Sequence, residues 1–116
     1  MESGAPVPLP AEYLTFLSLS NGGEGDLGIE PGWVSFWPAE GVLEHNAAYR
    51  LAELVPGLFG FGSNGAGELL AFDTRAGLPY PVVTVPFIPL AFAQASVVAP
   101  DFRLFAQAVG TPLPAA

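Results

Sequence analysis

The chain of 116 residues contains no cysteine and no lysine. Without cysteine it forms neither disulfide bonds nor thiolate metal sites, and without lysine it cannot hold a phosphate as P-loop proteins do. The longest apolar stretch, residues 82–93, is broken by Pro86 and Pro89 and falls short of the roughly 20 residues that span a bilayer. Residues 1–10 lack the basic and apolar regions of a signal peptide. We therefore predict a soluble, cytoplasmic protein.

Positive charge is also scarce, because only 3 basic residues face 11 acidic ones and the net charge is −8 at pH 7. Proteins that bind DNA or RNA neutralise phosphates with arginine and lysine, so we predict no nucleic-acid partner. Anionic membrane surfaces would repel the chain, so we predict no membrane partner either. A basic protein would be attracted to it. The alternative is that the acidic residues serve only solubility.

Apolar residues, by contrast, are abundant. They make up 51% of the chain, and 9 of them are phenylalanine, while 14 glycines and 13 prolines divide the chain into short elements. A chain of this length buries about two-thirds of its unfolded surface as one domain. We predict a single α+β domain over residues 1–116, with loose termini at 1–8 and 111–116. A small, mainly antiparallel twisted sheet would carry about three helices.

Helical periodicity predicts helices over residues 10–20 and 38–54 and a closing helix that starts at Pro100. Asn21-Gly22-Gly23 and Gly110 supply their stops. The apolar positions expected to face the core are Leu9, Tyr13, Phe16 and Leu17 in the first helix, Leu43, Ala47, Leu51 and Leu54 in the second, and Phe102, Phe105, Ala106 and Val109 in the third.

Strand patterns are shorter and lie between these helices. Residues 58–62, 68–73 and 82–85 are apolar and rich in β-branched or aromatic side chains. Weaker alternation predicts short strands around Leu27 to Ile29 and at 33–36, and at most one edge strand within 87–98. We expect the sheet edge near Val82–Phe87 to be able to pair with a second copy, which would make the protein a monomer or a weak homodimer.

The segment GLFGFGSNGAGELLAFD, residues 57–73, predicts a β-hairpin, because two apolar runs flank a loop that contains Asn64-Gly65. Its glycines also have the spacing of a dinucleotide-binding motif. That motif works where a strand turns into a helix, whereas these glycines lead into a second strand. We therefore predict no cofactor.

Three segments together carry a family resemblance: LPAEYLTFLSLSNGG at 9–23, the hairpin at 57–73, and VAPDFRLF at 98–105. In this order and spacing they resemble the SUKH superfamily, which groups fungal cell-wall regulators with bacterial immunity proteins that neutralise toxins. Many relatives carry a longer helix before the Leu-Pro segment, and here only residues 1–8 precede Leu9. The resemblance implies a non-catalytic protein-binding module.

Several side chains are candidates for contact with a partner. Glu24, Asp26 and Glu30 cluster within one short segment, where they could otherwise serve as calcium ligands or simply as a solvated loop. Glu68 follows Gly67, a position that is often acidic in SUKH relatives; it could instead deter strand aggregation or cap loop amides. Trp33 and Trp37 are candidate interface anchors. The predicted partner-binding residues are Glu24, Asp26, Glu30, Trp33, Trp37, Glu68 and Asp73.

Two functions compatible with the resemblance remain open. The first is an immunity protein that binds a basic toxin domain through these acidic residues. The second is a regulatory or scaffold domain of the fungal type, without a toxin partner. A third hypothesis, a small hydrolase, would need His45, the only histidine, beside a nucleophile such as Ser63. We predict no enzyme activity, no catalytic residue and no metal site.

Overall fold

The computed structural model describes residues 7–111, which form one six-stranded antiparallel sheet and four helices. The strands follow one another across the sheet in chain order. They are β1 (Gly23–Asp26), β2 (Trp33–Phe36), β3 (Leu58–Ser63), β4 (Glu68–Asp73), β5 (Val82–Pro86) and β6 (Ser96–Ala99). The helices are α1 (Ala11–Leu19), α2 (Ala39–Ala48), α3 (Leu51–Leu54) and α4 (Phe102–Gln107). The predicted α+β class is confirmed, with four helices in place of about three.

The termini predicted to be loose fall largely outside the described residues, which exclude 1–6 and 112–116. Within the described part, the carbonyl oxygen of Pro8 accepts a hydrogen bond of 2.8 Å from the hydroxyl of Tyr80. None of the helices in residues 7–111 has the length and apolar character needed to cross a membrane.

One face of the sheet, here called the aromatic face, is covered by α1 and α4. Phe61 of β3 lies 5.7 Å from the ring of Tyr13 in α1 and 5.8 Å from the ring of Phe102 in α4, measured between ring centroids. The contact between Phe61 and Phe102 is edge to face, an arrangement that adds to the stability gained from area burial alone. The rings of this cluster belong to Tyr13, Phe16, Phe36, Phe61, Phe72, Phe102 and Phe105.

The opposite face, here called the α2 face, is covered in its centre by α2 and α3. Successive strand residues point to opposite faces, so Ala71 and its partner Gly60 face away from Phe72. A β-carbon on Gly60 would lie 3.0 Å from Trp37 and 3.1 Å from Leu51 of α3. The centres of β3, β4 and β5 are buried because both faces are covered.

The aromatic cluster holds one polar atom, the hydroxyl of Tyr13, which is buried and has no hydrogen-bond partner among the described residues. Burial raises the pKa of this hydroxyl above its usual range, because the charged form would lose its hydration. An unpaired buried hydroxyl costs stability that a matching apolar ring would not.

We expect Tyr13→Phe to increase the free energy of unfolding by about 1 kcal/mol at pH 7. Above about pH 10 the wild-type protein should lose stability, because the unfolded chain releases the Tyr13 proton while the folded chain keeps it. In the variant, the free energy of unfolding should fall less above pH 10, because the contribution of Tyr13 ionisation is missing. Urea titrations at pH 7 and above pH 10 measure both effects. Tyr80→Phe is the control and should destabilise, since it removes the bond to Pro8.

The predicted second helix, 38–54, is wrong beyond Ala48. Arg50 has φ 56° and ψ 41°, so the chain turns there and restarts as α3. This turn brings Leu51 over the bare surface of Gly60. Ala47 and Leu54 are therefore exposed, where the helical pattern had placed them in the core, and the buried positions are Val42, Leu51 and Val55.

The first strand also differs from its prediction. Gly22 and Gly23 adopt positive φ angles and turn the chain directly from α1 into β1 at Gly23. Leu27, predicted as part of a strand with Ile29, forms only an isolated bridge to Val109. The acidic segment predicted as a loop thus begins as an edge strand.

The remaining strands match their predictions within a residue or two. The hairpin strands run over 58–63 and 68–73, and the edge strand predicted within 87–98 is β6. The expectation of a free edge near Val82–Phe87 is wrong, because β5 lies between β4 and β6. The closing helix starts after Asp101, whose carboxylate accepts a hydrogen bond from the backbone of Leu104.

Candidate protein-binding surface

The β3–β4 hairpin loop and the first residue of β2 meet at one end of the sheet. A β-carbon on Gly65 would lie 3.3 Å from Cδ1 and 3.5 Å from Nε1 of Trp33. Gly65 has φ 72°, which glycine adopts without strain. The tryptophan ring therefore packs against the loop on one side, and 38% of the residue stays exposed.

The side chain of Asn64 holds the loop in shape. Its Oδ1 accepts hydrogen bonds from the backbone N–H groups of Ala66 and Glu68, at 2.9 and 3.0 Å. Its Nδ2 donates to the carboxylate of Glu68 at 2.9 Å. Asn64 thus caps the backbone N–H groups of the loop, and the carboxylate of Glu68 in turn holds the Asn64 side chain in place. A loop with so many internal bonds offers a preformed surface to a partner.

Glu24 and Asp26 of β1 lie on the same side of the sheet as Trp33. Glu24 pairs with Ser35, and Asp26 pairs directly with Trp33. Val34 and Phe36 are buried towards the aromatic face, so their alternating neighbours in β2 point to the α2 face. Both carboxylates are exposed. The structure therefore brings Glu24, Asp26 and Trp33 together.

Glu30 and Glu68 lie at the same end of the sheet as Trp33. Glu30 is exposed in the turn that joins β1 to β2, at the end of the sheet where Trp33 lies. Glu68 starts β4 beside the hairpin loop, and the alternation along β4 points its side chain to the same side of the sheet as Phe72, the aromatic-face side. We call Glu24, Asp26, Glu30, Trp33 and Glu68 the hairpin-end surface.

Asp73 lies apart from the hairpin-end surface, at the far end of β4. It lies five positions after Glu68, which corresponds to about 17 Å along a strand. The guanidinium of Arg75 donates two hydrogen bonds to the carboxylate of Asp73, at 2.9 and 2.8 Å, and the backbone N–H of Arg75 donates a third at 3.1 Å. These bonds lower the pKa of Asp73 below its usual range and compensate its charge.

Trp37 is a core residue with 8% exposure, in contrast to Trp33. Its indole ring lies 4.6 Å from the ring of His45 and 6.0 Å from that of Tyr49. Tyr49 in turn stacks on Phe87 at 4.5 Å. The stack fixes α2 to the sheet and leaves part of Tyr49 exposed.

Tyr49 and Phe87 were not among the predicted surface residues. The backbone N–H of Phe87 donates to the carbonyl of Gly67 at 2.9 Å, so Phe87 lies next to the hairpin loop. The spacing of Tyr49 four residues after His45 was the available signal for the stack.

The described ion pairs lie away from the hairpin-end surface. Arg50 pairs with Glu53, and Arg75 pairs with Asp73. Within residues 7–111, no acidic residue of the hairpin-end surface forms an ion pair. The negative charge of this surface is therefore not compensated by any ion pair in the described part of the chain.

A cavity of about 430 Å³ lies between α2, α3 and β3. Its walls are largely apolar, with Leu43, Leu51 and Leu58 among them. The polar side chains that reach it are already engaged: Asn46 bonds to Gly60, and Thr74 donates to the carbonyl of Gly57. The residues from 7 to 111 contain no group of three or more metal-ligating side chains placed to hold an ion.

A search of curated proteins finds no match to the chain. A family model does match, over residues 2–108, and it describes the SMI1 / KNR4 family (SUKH-1). The match includes α1, the hairpin and α4, the three segments on which the resemblance depends. The resemblance seen in the sequence is confirmed, and the chain belongs to the SMI1 / KNR4 family (SUKH-1).

Proposed function

We propose that the protein is a non-catalytic binding module, an immunity protein of the SUKH type that neutralises a bacterial toxin in the cytoplasm by binding it. The observation that carries this proposal is the hairpin-end surface. There an exposed tryptophan at the start of β2 packs against a loop held by internal hydrogen bonds, and acidic side chains lie near it for which residues 7–111 supply no counter-charge.

This arrangement suits recognition of a basic protein. Interfaces combine a desolvated aromatic anchor with a polar rim, and Trp33 and the surrounding acids occupy those two places. Opposite charges accelerate encounter and reject partners of the wrong sign. A stable complex needs about 1,000 Å² of buried surface in total, so the interface extends beyond these residues.

The other predicted residues have smaller parts in the proposal. Trp37 holds α2 against the sheet in this proposal, through its contacts with His45 and Tyr49. Asp73 contributes little, because Arg75 already binds its carboxylate. His45 serves packing in this proposal, since its ring packs against the rings of Trp37 and Tyr49, and no catalytic step is assigned to it.

We expect the double variant Glu24→Lys/Asp26→Lys to bind its partner with an association rate about 10-fold slower at low salt. The reason is that reversal of two charges removes the attraction that steers a basic partner. The deficit should shrink as salt screens the charges. The partner is first captured from the native cell at low ionic strength with the wild-type protein, and its association rate is then measured by stopped flow.

The matched control is Glu12→Lys/Glu53→Lys, which reverses the same number of exposed charges on two helices. Its effect on the logarithm of the association rate should be less than half of the effect of Glu24→Lys/Asp26→Lys. An equal loss in both double variants would contradict the assignment of the surface. Failure to capture any protein partner across ionic strengths would remove the immunity proposal.

A regulatory or scaffold role is the second candidate, because the matched family description covers the SMI1 / KNR4 branch. It requires the same kind of surface but no toxin. A toxin gene adjacent to the gene for this chain supports the immunity role, and binding of that toxin in a pull-down decides between the two.

A further inference from the structure

We propose that Asp26 and Trp33 form a receptor for a single arginine side chain of the partner. This inference rests on the proposed function, because it names the chemistry by which the hairpin-end surface recognises a basic protein. It concerns the part of the α2 face at β1 and β2, where the acid and the ring lie side by side and both are exposed among the described residues.

The strand register brings the two side chains close together. The backbone N–H of Leu27 donates to the carbonyl of Gly32 at 3.2 Å, which makes these residues a hydrogen-bonded pair. Such pairs alternate along an antiparallel ladder, so Asp26 and Trp33 form the next, non-hydrogen-bonded pair. Side chains in such pairs are the closest in a sheet, with β-carbons about 5 Å apart.

The same molecule shows how an arginine is held by this combination of groups. The guanidinium carbon of Arg75 lies 4.2 Å from the centroid of the Phe92 ring, while its nitrogens bond to the carboxylate of Asp73. One cation is thus bound by a carboxylate and an aromatic face together. Asp26 and Trp33 present these two groups, with indole as the better cation-binding ring.

No arginine of this chain occupies the Asp26–Trp33 pair. The chain has three arginines, all within the described residues. Arg50 binds Glu53 and Arg75 binds Asp73. Arg103 is exposed on α4, which packs on the aromatic face and so lies on the other side of the sheet. The occupant must therefore come from another molecule.

Arginine fits this pair better than lysine does. Its planar guanidinium can stack on the indole and still donate hydrogen bonds from its edge to a carboxylate. Lysine carries a compact, strongly hydrated ammonium that loses more hydration for each contact. The site therefore selects arginine among basic side chains.

The test uses the full chain with octa-arginine and octa-lysine peptides at matched ionic strength, read by tryptophan fluorescence and by the two indole N–H signals in NMR spectra. We expect octa-arginine to bind about 3-fold more tightly, with shifts at the Trp33 indole and little change at Trp37. In Trp33→Leu this preference should vanish, and in Trp33→Phe part of it should remain.

Charge is tested separately with Asp26→Asn, which should weaken octa-arginine binding about 3-fold more than Glu12→Gln, an equal change of charge on α1. Thermal melts establish that each variant is folded. Equal affinity for the two peptides, or a preference that survives in Trp33→Leu, overturns the arginine site.

These failures are distinguishable from failure of the proposed function. A captured toxin that binds in a salt-dependent way, without any arginine preference at Trp33, leaves the immunity role standing and removes the receptor. An arginine preference at Trp33 without any protein partner leaves the receptor standing and removes the immunity role.

Discussion

Gly62→Ala should cost about 3 kcal/mol or more of the free energy of unfolding, the largest loss that we expect from a single methyl group in this protein. A β-carbon at this position would collide with the carbonyl oxygen of Ser35 and lie 3.3 Å from Cα of Phe36. Both atoms belong to the backbone of β2, which cannot move aside as a side chain can. The strands β2 and β3 would have to separate.

The collision arises from a β-bulge. The register of β3 against β4 shifts between Gly60 and Gly62, which leaves Phe61 as the extra residue. Phe61 thereby points into the aromatic cluster, while Gly62 lies against Phe36 of β2. The close approach of β2 and the burial of Phe61 therefore depend on the same local geometry.

Gly25→Ala in β1 is the matched control, because a β-carbon there would meet no atom within 4 Å and the residue has no positive φ. We expect its stability to stay within about 0.5 kcal/mol of wild type. Chemical denaturation monitored by tryptophan fluorescence measures both variants. A Gly62→Ala protein as stable as Gly25→Ala would show that β2 and β3 are not packed as described.

The parts of the fold that the sequence predicted well are those determined by neighbours along the chain. Asn64-Gly65 between two apolar runs predicts the hairpin, because the loop needs left-handed backbone, which glycine adopts easily and which Gly65 and Gly67 take up here. The spacing of Tyr13 and Leu17 likewise predicts the buried side of α1. Both signals are local and are not overridden by distant contacts.

The errors occur where distant contacts decide. Arg50 takes up a left-handed conformation so that Leu51 can pack on Gly60, and no property of residues 38–54 alone requires it. Similarly, β6 covers the edge of β5, and that pairing depends on residues more than ten positions further along the chain. Helical periodicity and strand propensity contain no such information.

The sequence predicted which residue types the candidate site contains, but not which of these residues lie close together. The acidic residues and the tryptophans stood out by type. Only the register shows that Asp26 lies beside Trp33, and only the packing separates an exposed Trp33 from a buried Trp37. Asp73 looked equivalent to Glu68 in the sequence, yet the structure pairs it with Arg75 at the other end of the strand.

Asn46→Ala should lower the free energy of unfolding by about 2–3 kcal/mol. The side chain of Asn46 accepts a hydrogen bond from the N–H of Gly60 at 2.8 Å and donates to its carbonyl at 2.9 Å. It also donates to the carbonyl of Val42 at 2.8 Å. Alanine leaves the polar backbone of a buried glycine without these partners, at about 1–3 kcal/mol for each group. Its higher helix propensity returns only about 0.5 kcal/mol.

Asn21→Ala is the matched control, because it removes an asparagine that also bonds to α2 but leaves the bonds to Gly60 intact. Asn21 also bonds to helix α2, through its Oδ1 and the N–H of Ala39, but it does so at an exposed position where water can replace it. We expect a loss of about 1 kcal/mol there. Hydrogen exchange at the Gly60 amide gives an independent measurement, because it should accelerate in Asn46→Ala and stay slow in Asn21→Ala. If the two variants lose equal stability, the hydrogen bonds of Asn46 do not hold α2 against the sheet. The aromatic contacts of Trp37, His45 and Tyr49 would then hold the helix instead.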